Sequence, residues 1–196
     1  MATPSIYLAS NSPRRRELLT QIGVCFEQHG VDIDETPRQH EPPERYVLRM
    51  AQEKALAAQS QLQQQATLPV LCADTTVVAA GAILGKPSSR DEAVAMLRRL
   101  SASDHQVLTA VAVADGERVA TRLSRTRVWF SPISEEQALR YWASGEAADK
   151  AGGYGIQGRG AAFVERIEGS YSGVVGLPLA ETVELLTQFE VPYWVY

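Results

Sequence analysis

The sequence predicts an α/β protein with a mixed sheet. Short apolar strand-like stretches alternate with stretches of helical periodicity along the whole chain, the pattern of layered α/β folds. A long hairpin, 107–113 returning as 119–130 around Asp115-Gly116, requires antiparallel neighbours, so the sheet is not purely parallel. The composition, 45% apolar and 21% charged, is that of an ordinary globular protein. A chain of 196 residues suits one domain with a sizeable core, or two lobes around a cleft. No repeat is present and no linker is long enough to separate independent domains, so one domain over 1–196 is expected.

Residues 6–9 read as an apolar strand and Ser10-Asn11-Ser12-Pro13 as the turn after it. Ser12 suits the N-cap, and Pro13 the first position, of a helix over 13–22 closed by Gly23. A second strand covers 25–30, and 31–37 is an acidic loop. The next helix, over about 43–65, carries the stripe Val47, Met50, Ala51, Ala55 and Ala58. Its glutamine-rich tail, 59–65, is expected to fray. Residues 68–73 read as a buried strand ending at Asp74, and Val77-Val78 with Ile83-Leu84 as a hairpin about Gly81. Ser89 with Glu92, and Ser134 with Gln137, are capping boxes; their helices run to about Leu100 and to near Gly145. A glycine-rich loop over 149–160 leads to a strand near Phe163-Val164, and a last helix covers 178–189.

The net charge of −4 argues against a nucleic-acid binder, which is usually basic. No apolar run approaches the roughly 18 residues of a membrane span. Neither a basic n-region nor an apolar h-region marks a signal peptide, so a cytoplasmic protein is expected. Cys25 and Cys72 stand far apart in apolar contexts and read as core thiols in a reducing compartment. His29, His40 and His105 do not cluster with them, so no zinc site is expected. The apolar tail Val191-Pro192-Tyr193-Trp194-Val195-Tyr196 fits a core edge or a subunit contact, which leaves a homodimer open.

Arg14-Arg15-Arg16 in the first turn of a helix runs against the helix dipole, which favours acids there by up to about 1 kcal/mol each. The run suits a polyanion held by backbone N–H groups and guanidinium forks, or else a solvated basic turn. Of 19 basic residues, only Lys54, Lys86 and Lys150 are lysine. Lys54 lies on the edge of an apolar stripe and must snorkel or face a polar cleft. Lys86, in Gly85-Lys86-Pro87, and Lys150, beside Gly152-Gly153, can reach a phosphate, although Gly-Lys-Pro is also a plain turn. It is not a Walker P-loop, since neither the glycine spacing nor a following Ser or Thr is present.

Asp74 closes an apolar strand, and functional carboxylates often stand at strand ends. Glu35 beside Asp34 supplies a second acid. Two such carboxylates can share Mg²⁺ or Mn²⁺, which also bridges phosphates; alone, each is also a plain loop acid or helix cap. Thr75, Thr76 and Gln157 are uncharged donors and acceptors suited to a base or sugar edge. Glycines at 152, 153, 155, 158 and 160 mark unusual φ or close approach, not a dinucleotide fingerprint.

These segments, taken in order, resemble the Maf family of nucleoside triphosphate pyrophosphatases. The matching stretches are Leu8-Ala9-Ser10-Asn11-Ser12-Pro13-Arg14-Arg15, Asp34-Glu35, Glu53-Lys54-Ala55, Ala73-Asp74-Thr75, Leu84-Gly85-Lys86-Pro87, Asp149-Lys150-Ala151-Gly152-Gly153-Tyr154-Gly155-Ile156-Gln157 and Val175-Gly176-Leu177-Pro178-Leu179. They span about residues 6 to 180. Ala102 departs from a frequent family glycine, and Gly173 from a frequent asparagine. The resemblance implies an elongated α/β fold similar to inosine triphosphate pyrophosphatases, with two lobes around a central cleft. It also implies hydrolysis of a nucleoside triphosphate to the monophosphate and pyrophosphate with a divalent metal.

By the same resemblance, Asp74 is the general base; the mechanism expected on that footing has Asp74 accept the water's proton or hold the metal that acidifies it, with Glu35 as a metal ligand. Arg14, Arg15, Lys54 and Lys86 neutralise the triphosphate. Arg14, Thr75 and Gln157 set substrate choice, in the pattern of the branch acting on dTTP and UTP rather than on 7-methyl-GTP. Modified pyrimidine triphosphates are further expected substrates. The competing readings are a nucleotide-binding regulator of cell division, a phosphotransferase, and an RNA-binding module built on Arg14 to Arg16. The Asp74, Glu35 and Lys86 set favours an enzyme.

Overall fold

The computed structural model describes residues 3–62 and 68–195. In chain order the elements are β1 (Ile6–Leu8), α1 (Pro13–Gln21), β2 (Phe26–Gln28), α2 (Pro43–Leu62), β3 (Val70–Ala79), β4 (Ala82–Leu84), α3 (Arg90–Leu100), β5 (Asp104–Asp115), β6 (Arg118–Phe130), α4 (Glu135–Ala143), β7 (Val164–Glu168), α5 (Tyr171–Val175) and α6 (Leu179–Gln188). One seven-stranded sheet runs in the order β2-β1-β3-β5-β6-β7, with β4 paired to β3. β1 is parallel to β2 and to β3, whereas β4 and β7 are antiparallel to their partners. The expected mixed sheet is present.

The chain forms two compact units. One holds the chain up to Asp74, Thr109–Ser124 and everything from Gly176 on; the other holds Thr75–Leu108 and Arg125–Val175. Three of the four divisions fall inside β3, β5 and β6, and the fourth follows α5. In the first unit α2 buries the stripe the sequence shows: Val47, Met50, Ala51, Ala55 and Ala58 are fully buried, together with Ile6, Leu8, Leu19, Leu71, Leu185 and Leu186. Each such Leu, Ile, Val or Met contributes about 1.5–3 kcal/mol from burial. The second unit is built on Leu97, Leu100 and Phe130. Phe130 meets Tyr154 edge-on at 4.7 Å and His105 at 4.8 Å between ring centroids.

Several elements depart from expectation. β3 does not end at Asp74. It continues to Ala79, because Thr75-Thr76-Val77-Val78 is β-branched throughout and β4 pairs with its far end, Val77 opposite Leu84. Asp74 therefore lies in the middle of a strand. Ser12 occupies the N-cap of α1, but its side chain makes no capping bond; its N–H donates to Ser10 Oγ instead (3.2 Å). Ser89 caps α3, while Glu92 accepts from both the N–H and the hydroxyl of Ser88 rather than closing the box. The box at Ser134 and Gln137 is complete.

α5 is an unexpected short helix, and Gly173 lies buried within it. Ala102 has φ +50, a left-handed conformation that glycine adopts without strain. Of the glutamine-rich tail, 59–62 belongs to α2 and 63–65 lies outside the described residues, as does Tyr196. Among the described residues no helix is long and apolar enough to cross a membrane.

Candidate active site

In the first unit, three of the predicted residues meet. Lys54 projects from α2 and is buried; its Nζ donates to Asp74 Oδ1 of β3 at 2.7 Å and stands 2.5 Å from Glu35 Oε1. A buried lysine on an apolar stripe is stable only when its charge is answered, and here two carboxylates answer it. Burial is the strongest single influence on the Lys54 ammonium and pulls its pKa down. Asp74 and Glu35 together outweigh burial and leave it above the ordinary value. The pair also belongs to a wider set: burial, then the Asp74 and Glu35 charges, raise the pKa of Tyr46.

The loop that carries Glu35 is fixed from α2. Tyr46 Oη donates to the Glu35 carbonyl (3.0 Å). Arg49 forks onto Glu41 through Nε and Nη2 at 2.7 and 2.6 Å and also reaches the Thr36 carbonyl (3.2 Å). Those hydrogen bonds hold the Glu41 carboxyl near a pKa of about 2. Asp34 closes an Asx-type turn by accepting from Thr36 N–H; the Thr36 hydroxyl first, and then this N–H, lower its pKa. Glu35 thus reaches Lys54 from a loop braced on both sides.

The arginine turn divides its labour. Arg14 and Arg15 are half-buried and Arg16 is exposed. Arg15 donates through Nε to the Gly176 carbonyl (2.9 Å) and through Nη1 to Ser10 Oγ (3.3 Å), tying α1 to the segment before α6. Ser10 is the hub of this turn. It is buried, accepts from Ser12 N–H and Arg15, and its carbonyl accepts from Gln28 Nε2 at 2.7 Å. Cys72 is buried and its Sγ donates to the Ala9 carbonyl (3.1 Å).

Thr75 follows Asp74 directly and is half-buried. Successive side chains of a strand leave by opposite faces, so Thr75 does not share the face of Asp74, and its role rests on the family pattern alone. In the second unit, Lys86 is exposed just after β4, and Gln157 is exposed in the glycine-rich loop. That loop docks on the Lys86 segment: Gly152 N–H donates to the Gly85 carbonyl (2.9 Å). Gly152 has φ +71, and a Cβ there would press on Val77 at 3.0 Å. Lys150 is committed within its own loop, to the Glu146 carbonyl (3.2 Å) and to the Asp149 carboxylate.

Sequence reasoning passed over four residues that organise these groups: Ser10, Tyr46, Arg49 and Glu146. Arg49 and Glu41 were detectable as unlike charges eight residues apart that bracket a proline-rich turn. Glu146 carried no sequence signal, because its partners lie up to 14 residues further on.

The family model for Maf-like protein matches residues 5–189. The dTTP/UTP pyrophosphatase of Alkalilimnicola ehrlichii is 53% identical over 193 residues, covering 97% of this chain and 95% of that protein. The dTTP/UTP pyrophosphatase of Hahella chejuensis is 54% identical over 191 residues, covering 96% and 94%. Among solved structures, a nucleoside-triphosphatase (dITP/XTP pyrophosphatase) from Mycobacterium abscessus aligns with 94% of this chain and 95% of its own at 14% identity. Its TM-score of 0.44 is too low to carry an argument. A match over nearly the whole length, and relatives that keep half of all residues, agree with the ordered motifs around Asp74, Lys54 and Lys86: the chain belongs to the Maf family.

Proposed function

We propose that this chain hydrolyses nucleoside triphosphates to the monophosphate and pyrophosphate. Its substrates are dTTP, UTP and base-modified pyrimidine triphosphates. The observation that carries the reading is the Glu35–Lys54–Asp74 cluster, 2.5 and 2.7 Å across its two contacts, in a chain half-identical to proteins named dTTP/UTP pyrophosphatase. A protein that only binds a nucleotide has no need of a carboxylate fixed in this way by a buried ammonium.

In this reading water attacks the α-phosphorus. The new P–O bond forms as the bond to pyrophosphate breaks, and the water's proton passes to Asp74. Lys54 orients the Asp74 carboxylate through its hydrogen bond. Arg14, Arg15 and Lys86 neutralise the triphosphate and the charge that grows on the departing pyrophosphate. Thr75 and Gln157 contact the pyrimidine or its sugar, where shape refuses purines and hydrogen bonding selects uracil over cytosine.

The donor chemistry fits a divalent cation. Two carboxylates converging on one ammonium leave a net negative, all-oxygen set, and Mg²⁺ or Mn²⁺ takes one or two carboxylates and completes its shell with water and phosphate oxygens. Among the described residues no group of three or more His, Cys, Asp or Glu side chains stands ready to hold a metal. Glu35 and Asp74 would hold the ion, which would supply Lewis acidity at the phosphoryl oxygens and a more acidic water. Two free cysteines and a nucleotide substrate suit the cytoplasm.

The test is a panel of ordinary and base-modified nucleoside triphosphates read by pyrophosphate release. UTP and dTTP release pyrophosphate well ahead of purine triphosphates if the reading holds. Tight nucleotide binding without pyrophosphate overturns it in favour of a regulator.

A further inference from the structure

The glycine-rich loop is organised around a single carboxylate, that of Glu146. Its Oε1 accepts from Tyr141 Oη (2.7 Å) and from Gly160 N–H (3.1 Å), and its Oε2 accepts from Arg159 N–H (2.8 Å). Tyr141 Oη in turn accepts from Gly155 N–H (3.0 Å). A carboxylate can accept from about four donors, and three of them are supplied here by the phenol and by the two backbone groups just past Gln157. A third backbone group, Gly155 N–H, reaches the carboxylate through the phenol. Gln157 is therefore tied down on both sides, at 155 and at 159–160, while its own side chain remains exposed.

The glycine pattern has the same cause. A Cβ on Gly158 would lie 2.3 Å from Glu146 Oε2, and one on Gly160 would lie 2.8 Å from the Gly155 carbonyl oxygen and 2.9 Å from Tyr141 Oη. The loop lacks side chains there because Glu146 fills the space at Gly158, and Tyr141 with the Gly155 backbone fills it at Gly160. The backbone N–H bonds from Arg159 and Gly160 and the Tyr141 bond stabilise the ionised form of Glu146. They outweigh burial, the largest influence, which opposes it, and the Glu146 pKa falls. Tyr141 is buried, in edge contact with Phe163 at 5.2 Å, so the pair is anchored in the core of its unit.

We infer that Glu146 is a positioning residue for substrate selectivity: braced by Tyr141, it holds the 155–160 turn so that Gln157 meets the edge of a uracil or thymine base. This rests on the reading above, in which Gln157 contacts the base. Glu146 itself touches no substrate.

The test compares wild type with Gln157→Ala, Glu146→Gln, Tyr141→Phe and the double variant Glu146→Gln/Gln157→Ala, using kcat and KM for UTP and CTP. Glu146→Gln keeps the volume but sets an amide N–H₂ against one of the backbone donors. Tyr141→Phe keeps the ring and removes only the hydroxyl, so it remains informative if the first variant folds poorly. Each single variant is expected to raise KM for UTP by about tenfold while kcat changes by less than about twofold, and to lower the UTP-over-CTP preference. In the Gln157→Ala background, Glu146→Gln is expected to change that preference no further, as a residue acting through Gln157 must.

Equal losses on both substrates, additive in the double variant, reduce Glu146 to a structural role and overturn the inference alone. So do unchanged kinetics in both Glu146→Gln and Tyr141→Phe. Absence of pyrophosphate release by the wild type, or a Gln157→Ala variant with unaltered preference, overturns the parent reading and the inference together.

Discussion

Lys54 Nζ donates to Asp74 Oδ1 at 2.7 Å from a helix stripe whose other members are apolar. One buried cation thus fixes the rotamer of the carboxylate assigned to proton transfer and meets Glu35 from the acidic loop at the same nitrogen. The ammonium is charged at every working pH, because the two carboxylates overcome the burial that would neutralise it.

Asp74→Asn keeps an oxygen for Lys54 and so keeps the fold, but it removes the proton acceptor. Turnover of dTTP is expected to fall by about 10²–10⁴, the usual worth of a positioned base, with an unchanged circular dichroism spectrum. Near wild-type pyrophosphate release from folded Asp74→Asn discards the assignment.

Lys54→Met leaves the buried Asp74 carboxylate without its counter-charge. Breaking a buried pair in this way costs about 3 kcal/mol, or roughly 6–12 °C in Tm for a chain of this size. Calorimetry of the variant checks this, and a Tm within a degree or two of wild type removes the pair from the stability account.

His105 sets a pH dependence of folding. Burial holds its pKa down to about 4 in the folded state, from 6.5 when unfolded. Its Nε2 meets Tyr154 Oη at 2.8 Å, and its buried Nδ1 has no hydrogen-bond partner. The unfolded chain therefore binds the proton first. The stability is fully present above pH 6.5 and is lost as pH falls through about 4, by up to about 3 kcal/mol. Urea unfolding between pH 7 and 4.5 measures the slope, which His105→Gln should flatten. An equal slope in the variant assigns it elsewhere.

Chelation by EDTA is expected to abolish activity, and Mg²⁺ or Mn²⁺ to restore it. Full activity in the chelator removes Glu35 from its metal role.

Ala102 offers a test of backbone strain. At φ +50 an L side chain costs about 1–2 kcal/mol, part of which glycine returns as unfolded-state entropy. Ala102→Gly is expected to raise stability by about 0.5 kcal/mol in urea unfolding. A loss of stability contradicts the strain argument.

The helix of Lys54 was legible because its apolar stripe has an unbroken helical period, and the lysine stood out as the one charge on its edge. The extent of β3 was not legible, because the polar run Asp74-Thr75-Thr76 looks like a strand end, and the pairing with β4 that carries the strand on is set by a turn beyond it. Ser12 looked like a cap, but Ser10 two residues earlier holds the turn, through contacts with Gln28 and Arg15 that no local rule contains. The glycines at 155, 158 and 160 announced close approach without saying to what. Only the folded chain shows that Gly158 makes room for Glu146, Gly160 for Tyr141 and the Gly155 backbone, and Gly155 for Lys150 and Glu146.

The most direct measurement follows the oxygen of water. Turnover of UTP in ¹⁸O-enriched water, with products resolved by ³¹P NMR, is expected to place the label in the nucleoside monophosphate and none in pyrophosphate. Label in pyrophosphate, or a nucleoside diphosphate with inorganic phosphate as products, contradicts attack at the α-phosphorus and with it the role given to Asp74.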